Sequence, residues 1–158
     1  MLMQNNISLI VYDFDGVMTN NTVIVSECGF ESVIVNRSDG LAVEIIKSKG
    51  IPQLILSKEK NKVVATRAAK LGIPVLHGID DKKTILQNYC KCHSIDLNKV
   101  VYIGNDLNDV PVMSVVGHPM TPQDAYIEAK TIATFIIPVT GGNGVIRELL
   151  NHIKFEEA

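Results

Sequence analysis

Two acids one residue apart, Asp13 and Asp15, close an apolar run in Leu9-Ile10-Val11-Tyr12-Asp13-Phe14-Asp15-Gly16-Val17-Met18-Thr19. In a strand, residues i and i+2 point the same way, so both carboxylates are expected on one face at the strand's end. Such a pair repels unless a cation or a shared proton relieves it. Gly16 allows a tight turn and close approach to the backbone. Mg²⁺ suits the pair, because it takes a few carboxylates and keeps positions for phosphate and water. Asp-x-Asp-Gly alone is also ordinary turn chemistry. The weight therefore falls on three pieces downstream: Ser57, Lys82, and Gly104-Asn105-Asp106-Leu107-Asn108-Asp109. A lysine beside carboxylates balances their charge and can hold a phosphate oxygen as a point charge. The acids and amides of the last piece are costly to gather at a strand end without a cation.

The elements that must position these groups can be read from the apolar pattern. Ser8 to Phe14 is expected as a buried first strand. Two short β-branched runs, Thr22 to Ser26 and Ser32 to Asn36, flank Gly29 and read as a hairpin that forms a flap or an interface. Both runs are too apolar to stand alone in water. Ser38 or Asp39 is expected to cap a helix ending near Lys49, with Gly50 beyond it. Strands are expected over residues 51–56, 73–77, 100–103 and 134–138. Helices are expected over about 59–71, 81–93, 110–116 and 145–153, with a further short one after Pro122. Strands that alternate with helices and are apolar throughout mean a parallel sheet covered on both faces. The fold class is α/β and Rossmann-like, in one domain over residues 1–158, with a β-hairpin after the first strand and no cap domain. Ligands of such sheets bind at the carboxyl ends of the strands, where Asp13, Asp15, Ser57 and residues 105–109 all fall.

Composition narrows the classes of function. Apolar residues make up 46% and charged residues 20%, an ordinary globular balance. A net charge of −2 leaves no basic footprint for nucleic acid. No apolar run reaches the ~20 residues of a membrane span. The first residues lack a basic, then apolar, leader pattern, so a cytoplasmic protein is expected. Cys28, Cys90 and Cys92 do not form a disulfide or zinc framework, and His77, His93, His118 and His152 lack ligand spacing.

Taken in order, Asp-x-Asp-Gly-x-x-Thr, Ser57, Lys82 and Gly-Asn-Asp-Leu-Asn-Asp resemble the haloacid dehalogenase superfamily of phosphotransferases across essentially the whole chain. The resemblance implies that Asp13 is the nucleophile and Asp15 the general acid and then base. Ser57 and Lys82 would hold phosphoryl oxygens. Asp13, Asp15 and Asn105 would ligate Mg²⁺, with Asp106 and Asp109 just behind. The chain looks like the capless sugar-acid phosphatases, which act on 3-deoxy-octulosonate 8-phosphate or nononate 9-phosphates. The same domain is also found fused to acylneuraminate cytidylyltransferases. That group forms homotetramers in which hairpins pack together and a neighbour closes each site.

Gly-Gly-Asn-Gly-Val-Ile-Arg-Glu (141–148) matches the group's C-terminal motif and makes Arg147 a candidate substrate ligand. Glu59, Arg67 and Lys70 resemble the nononate or acylneuraminate branch, whereas Arg37 resembles the octulosonate branch. The expected function is a Mg²⁺-dependent phosphatase for a small sugar-acid phosphate, nononate favoured, octulosonate the alternative. Two departures from the pattern, Asn105 in place of Asp and Thr19-Asn20-Asn21 in place of Thr-Asp-Gly, keep a non-catalytic oligomerisation module as a further alternative.

Overall fold

The computed structural model describes residues 1–156. In chain order its strands and helices are β1 (Leu2–Met3), β2 (Leu9–Tyr12), β3 (Ile24–Val25), β4 (Glu31–Ser32), α1 (Arg37–Ser48), β5 (Gln53–Leu56), α2 (Lys62–Leu71), β6 (Val75–Leu76), α3 (Lys82–Cys92), β7 (Val100–Ile103), α4 (Val110–Met113), β8 (His118–Pro122), α5 (Ile127–Ile132), β9 (Phe135–Ile137), α6 (Val145–Leu149) and β10 (Ile153–Lys154). The main sheet has the order β6-β5-β2-β7-β8-β9, and every pairing in it is parallel. Among the described residues no helix is long and apolar enough to cross a membrane.

Strand alternation divides the core in two. Ile10, Tyr12, Ile55, Val101 and Ile103 pack with Val43 and Ile46 of α1, Val64 and Ala68 of α2, and Leu149 of α6. Leu9, Val11, Leu54, Leu56, Val100 and Tyr102 pack on the other face with Leu86 and Cys90 of α3, Val112 of α4 and Ala129 of α5. Burial on both faces explains why β2, β5 and β7 are continuously apolar or nearly so. Helix ends follow local rules. The Asn36 side chain accepts from Ser38 N–H at the start of α1, and Asn61 accepts from Val63 N–H at the start of α2. Gly72 closes α2 in the left-handed conformation.

Several boundaries differ from the sequence reading. β2 ends at Tyr12, so Asp15 lies in a turn and not on the strand face with Asp13. The Phe14 carbonyl accepts from the N–H groups of Met18 and Thr19 and curls the chain there. Asn36 caps α1, while Ser38 donates its hydroxyl to Asn36 and Asp39 turns inward. The hairpin ladder has only two residue pairs, Ile24↔Ser32 and Val25↔Glu31. β8 is absent from the sequence reading, and its Pro119 and Pro122 are residues that an interior strand rarely holds. It forms because the Pro119 carbonyl still accepts from Thr134 N–H, at 2.8 Å. The last helix stops at Leu149, and β10 then pairs with β1 in a small separate sheet.

Candidate active site

Continuing the alternation of β2 past Tyr12 turns Asp13 toward the side of the sheet that carries α3. There Lys82, the first residue of α3, donates to Asp13 Oδ1 and to Asp109 Oδ1, each at 2.8 Å. An ammonium at a helix N-terminus opposes the helix dipole, and two carboxylates more than offset that. Lys82 is 2% exposed, Asp13 5% and Asp109 0%. Asp109 is further held by the Tyr102 hydroxyl at 2.7 Å and by the Asn105 N–H at 2.9 Å. A Cβ on Gly104 would stand 2.5 Å from Asp109 Cβ, so the strand can pass Asp109 only as glycine. Asp109, expected just behind the metal, holds the backbone of Asn105 and is also the second anchor of Lys82.

Charge states follow from this triad. Burial, then the like charge of Asp109, pushes the Asp13 carboxyl well above the ordinary carboxylate range, against the pull of Lys82. Burial also works against charge on Asp109, but Lys82, the Asn105 N–H and the Tyr102 hydroxyl together hold it below its ordinary value. Burial disfavours the Lys82 ammonium, yet Asp13 and Asp109 raise it above the usual lysine value.

Asp15 has a different environment. Its Oδ1 accepts from the Thr19 hydroxyl at 3.2 Å. Thr19 is fully buried and also accepts from the Gly16 and Asn21 N–H groups, so one hydroxyl ties the turn together. Burial raises the Asp15 carboxyl; the Thr19 hydroxyl works the other way, and Glu59 and Glu31 add to the rise. Gly16 has φ of +78°, and a Cβ there would meet the Asn105 carboxamide, 2.9 Å from its Oδ1. Asn105 therefore rests directly on the turn that follows Asp13 and Asp15.

Ser57 follows directly on β5, and its Oγ accepts from Glu59 N–H at 3.1 Å. That leaves the hydroxyl proton free for another acceptor. Asp13, Asp15, Ser57, Glu59, Asn105 and Asp106 all border an open cleft of about 690 Å³. Lys82 does not line this cleft and sits beneath Asp13. A smaller hollow of about 230 Å³ continues it past Asp15, Asn21 and Glu59 toward Glu31 and Asn61 of the hairpin side. Glu59 Oε1 is occupied by the N–H groups of Lys60 and Asn61, so only its other oxygen is free to meet a ligand.

The basic residues singled out in the sequence are not gathered at this cleft within one chain. Arg37, Arg67 and Lys70 line a separate hollow of about 380 Å³ between α1 and α2. Arg67 donates to the Asn36 carbonyl at 2.9 Å. Arg147 lies in the first turn of α6 and gives its backbone N–H to Asp39. Sequence reasoning passed over Tyr102, hidden in an apolar strand, and Asp39, read as a helix cap. It also passed over Asp124, which accepts from Gly141 N–H at 2.8 Å; a lone acid in a loop gave no signal.

No group of three or more His, Cys, Asp or Glu able to hold a metal occurs among the described residues. Asp13, Asp15 and the amide oxygen of Asn105 offer an all-oxygen donor set on the cleft wall. Such donors fit a hard divalent cation that keeps water and phosphate ligands, and they do not fit zinc or copper.

Residues 43–149 match the model of the haloacid dehalogenase-like hydrolase family. The 3-deoxy-D-manno-octulosonate 8-phosphate phosphatase of Escherichia coli is 31% identical over 159 aligned positions, covering 97% of this chain and 85% of that protein. A Streptomyces avermitilis protein described as a hydrolase of the same family superposes with a TM-score of 0.94 at 42% identity, over 97% of this chain and 88% of that one. The Moraxella catarrhalis octulosonate 8-phosphate phosphatase, solved with magnesium ion, phosphate ion and the sugar acid, gives a TM-score of 0.88 at 31% identity, over 91% and 83% of the two chains. The chain belongs to the haloacid dehalogenase-like hydrolases.

Proposed function

We propose that this protein is a Mg²⁺-dependent phosphatase that hydrolyses the phosphate ester of a 2-keto-3-deoxy sugar acid through an aspartyl-phosphate. The observation that carries the reading is the contrast between two carboxylates on one cleft. Asp13 is buried and clamped by the Lys82 ammonium, while Asp15, two residues on, is only half-buried and bound by a hydroxyl alone. Two acids with different environments divide nucleophile from acid–base work.

In this mechanism an Asp13 carboxylate oxygen attacks phosphorus as the bond to the sugar oxygen breaks, and protonated Asp15 gives that oxygen its proton. Asp15, now ionised, takes a proton from water, whose oxygen attacks the phosphoryl group on Asp13 and releases phosphate with Asp13 restored. Ser57 donates its free hydroxyl proton to a phosphoryl oxygen, and Lys82 offsets the charge gathered behind Asp13. Asp13, Asn105 and the main-chain oxygen of Asp15 would hold Mg²⁺, leaving the Asp15 carboxyl free to carry its proton, and the ion would neutralise charge on the phosphoryl oxygens when bound. Asp106, also on the cleft wall, adds to the negative field there.

Octulosonate 8-phosphate and nononate or acylneuraminate 9-phosphate are both supported as substrates. The first has the named relatives, and the second has Glu59. Either presents a hydroxyl-bearing chain near its phosphate, which suits the hollow between Asp15, Glu31 and Glu59. The sugar carboxylate needs more cations than this hollow, which is lined by none, and the adjoining cleft, lined by Lys58 and Lys60, supply. We place them in a homotetramer, where Arg37, Arg67 and Lys70 of a neighbour, with Arg147, would complete the site. The exposed apolar hairpin, with Ile24, Val25, Phe30 and Ile34, supplies the surface for that assembly. A cytoplasmic location and a small-molecule substrate accompany this reading. The decisive experiment is a phosphatase screen over octulosonate, nononate and acylneuraminate phosphates, with and without Mg²⁺. Turnover of none of them would leave the non-catalytic module as the better reading.

A further inference from the structure

The segment Gly141–Gly144 matched a family motif, but the mechanism above makes no use of its glycines. In the structure this segment lies against the backbone of the turn that carries Asp15. Gly142 N–H donates to the Val17 carbonyl at 3.0 Å. A Cβ on Gly141 would collide with the Gly16 carbonyl oxygen and stand 2.7 Å from its carbon and 3.0 Å from the Thr19 oxygen. A Cβ on Gly142 would stand 2.5 Å from the Asn20 nitrogen and 2.6 Å from the Thr19 carbonyl carbon. Thr19 is the residue whose hydroxyl holds Asp15. The segment is itself tied down at both ends. Asp124 accepts from Gly141 N–H at 2.8 Å, and buried Asp39 accepts from Ile146 and Arg147 N–H at 2.9 and 3.0 Å.

We propose that Gly141 and Gly142 are positioning residues for the general acid: they form a side-chain-free platform, anchored by Asp124 and Asp39, that sets the height of the Gly16–Asn20 turn and with it the reach of Asp15 toward the leaving oxygen. The inference rests on the phosphatase reading above. Backbone packed on backbone has no rotamer to relax, so an added methyl must move the turn itself. Gly141 does not have a positive φ, so Gly141→Ala adds bulk without backbone strain.

The test exploits leaving-group chemistry. A sugar alkoxide needs a proton as it departs, whereas p-nitrophenolate leaves without one. Both kcat/KM values end at formation of the phosphoenzyme, so the second half of the cycle does not enter. Gly141→Ala is expected to lower kcat/KM for the sugar phosphate chosen by the screen about 10- to 100-fold, the scale of a displacement of roughly 1 Å. For p-nitrophenyl phosphate the loss is expected to be several-fold smaller. Gly50→Ala is the control, since Gly50 has φ of +75° and nothing within 4 Å of its Cβ position, so it strains the chain without touching the turn; it should leave the ratio of the two substrates unchanged. If Gly141→Ala does not fold, Asp124→Ala removes the anchor instead, and Asp124→Asn, which keeps an acceptor oxygen, should restore the wild-type ratio. Equal losses on both substrates overturn the positioning role while the phosphatase reading stands. A wild-type protein that turns over neither substrate overturns both.

Discussion

Lys82 Nζ lies 2.8 Å from Asp13 Oδ1, with the two side chains 1% and 6% exposed. With Asp109 on the other side, the buried group holds two carboxylates against one ammonium. Asp13→Asn removes the nucleophile and leaves the Lys82–Asp109 pair balanced. Turnover is expected to vanish while the midpoint of urea unfolding stays the same or rises. A pure variant that retains activity would remove Asp13 from its role.

Lys82→Met has the opposite balance. It strands two buried carboxylates, and breaking such a pair costs about 3–5 kcal/mol. A drop of that size in the unfolding free energy is expected, together with loss of activity. A stability loss under about 1 kcal/mol would mean that solvent reaches Asp13 and Asp109 far more freely than their burial implies.

Asn105 tests the metal site. An amide oxygen ligates Mg²⁺ without bringing charge, so Asn105→Asp should tighten binding and enlarge the rise in melting temperature that Mg²⁺ produces. The side chains are nearly the same shape, and Asn105 already packs against Gly16, so the turn should not move. Calorimetric titration of Mg²⁺ into both proteins decides the point, and equal affinities would contradict the charge argument.

Asp39 offers a pH dependence away from the cleft. Burial raises its carboxyl above the ordinary value, and the Arg147 and Ile146 N–H groups recover only part of the loss. A raised acid favours the folded state in its protonated form. Its relative stabilisation is therefore present below the unfolded value and fades as pH rises through the folded one. Its second oxygen, Oδ2, is buried without a partner. Asp39→Asn should then gain stability relative to wild type at pH 8, with the gap closing as pH falls toward 4. A gap independent of pH would show that Asp39 titrates as it does in the unfolded chain.

The parallel sheet, the order of most elements and the cleft residues at strand ends were legible because each rests on a local pattern. These patterns were apolar runs, Gly72 as a helix stop, and acids just past β2 and β7. What was not legible depends on distance in space. That Asp109 anchors Lys82, or that Asp39 caps α6, is a contact across 27 or more residues with no periodic trace. β8, absent from the sequence reading, holds two prolines, whose cost the ladder avoids only through the hydrogen bonds its neighbours supply. The distance of Arg37, Arg67 and Lys70 from the cleft is a fact of tertiary placement that no spacing encodes.

That placement leads to a test of assembly. If a neighbour's basic hollow completes each cleft, the nucleophile and the cations belong to different chains. Arg37 and Lys70 are exposed, so Arg37→Ala with Lys70→Ala should fold normally and lose sugar-acid turnover mainly through KM. Mixed with Asp13→Asn and allowed to exchange subunits, this double variant should regain activity, because some clefts then pair an intact Asp13 with an intact hollow. Phe30→Asp on the exposed hairpin should abolish that recovery and give a monomer by light scattering. Verified exchange without recovery would place the cations within one chain's own reach. A wild-type protein that is already monomeric at micromolar concentration would remove the neighbour from the mechanism.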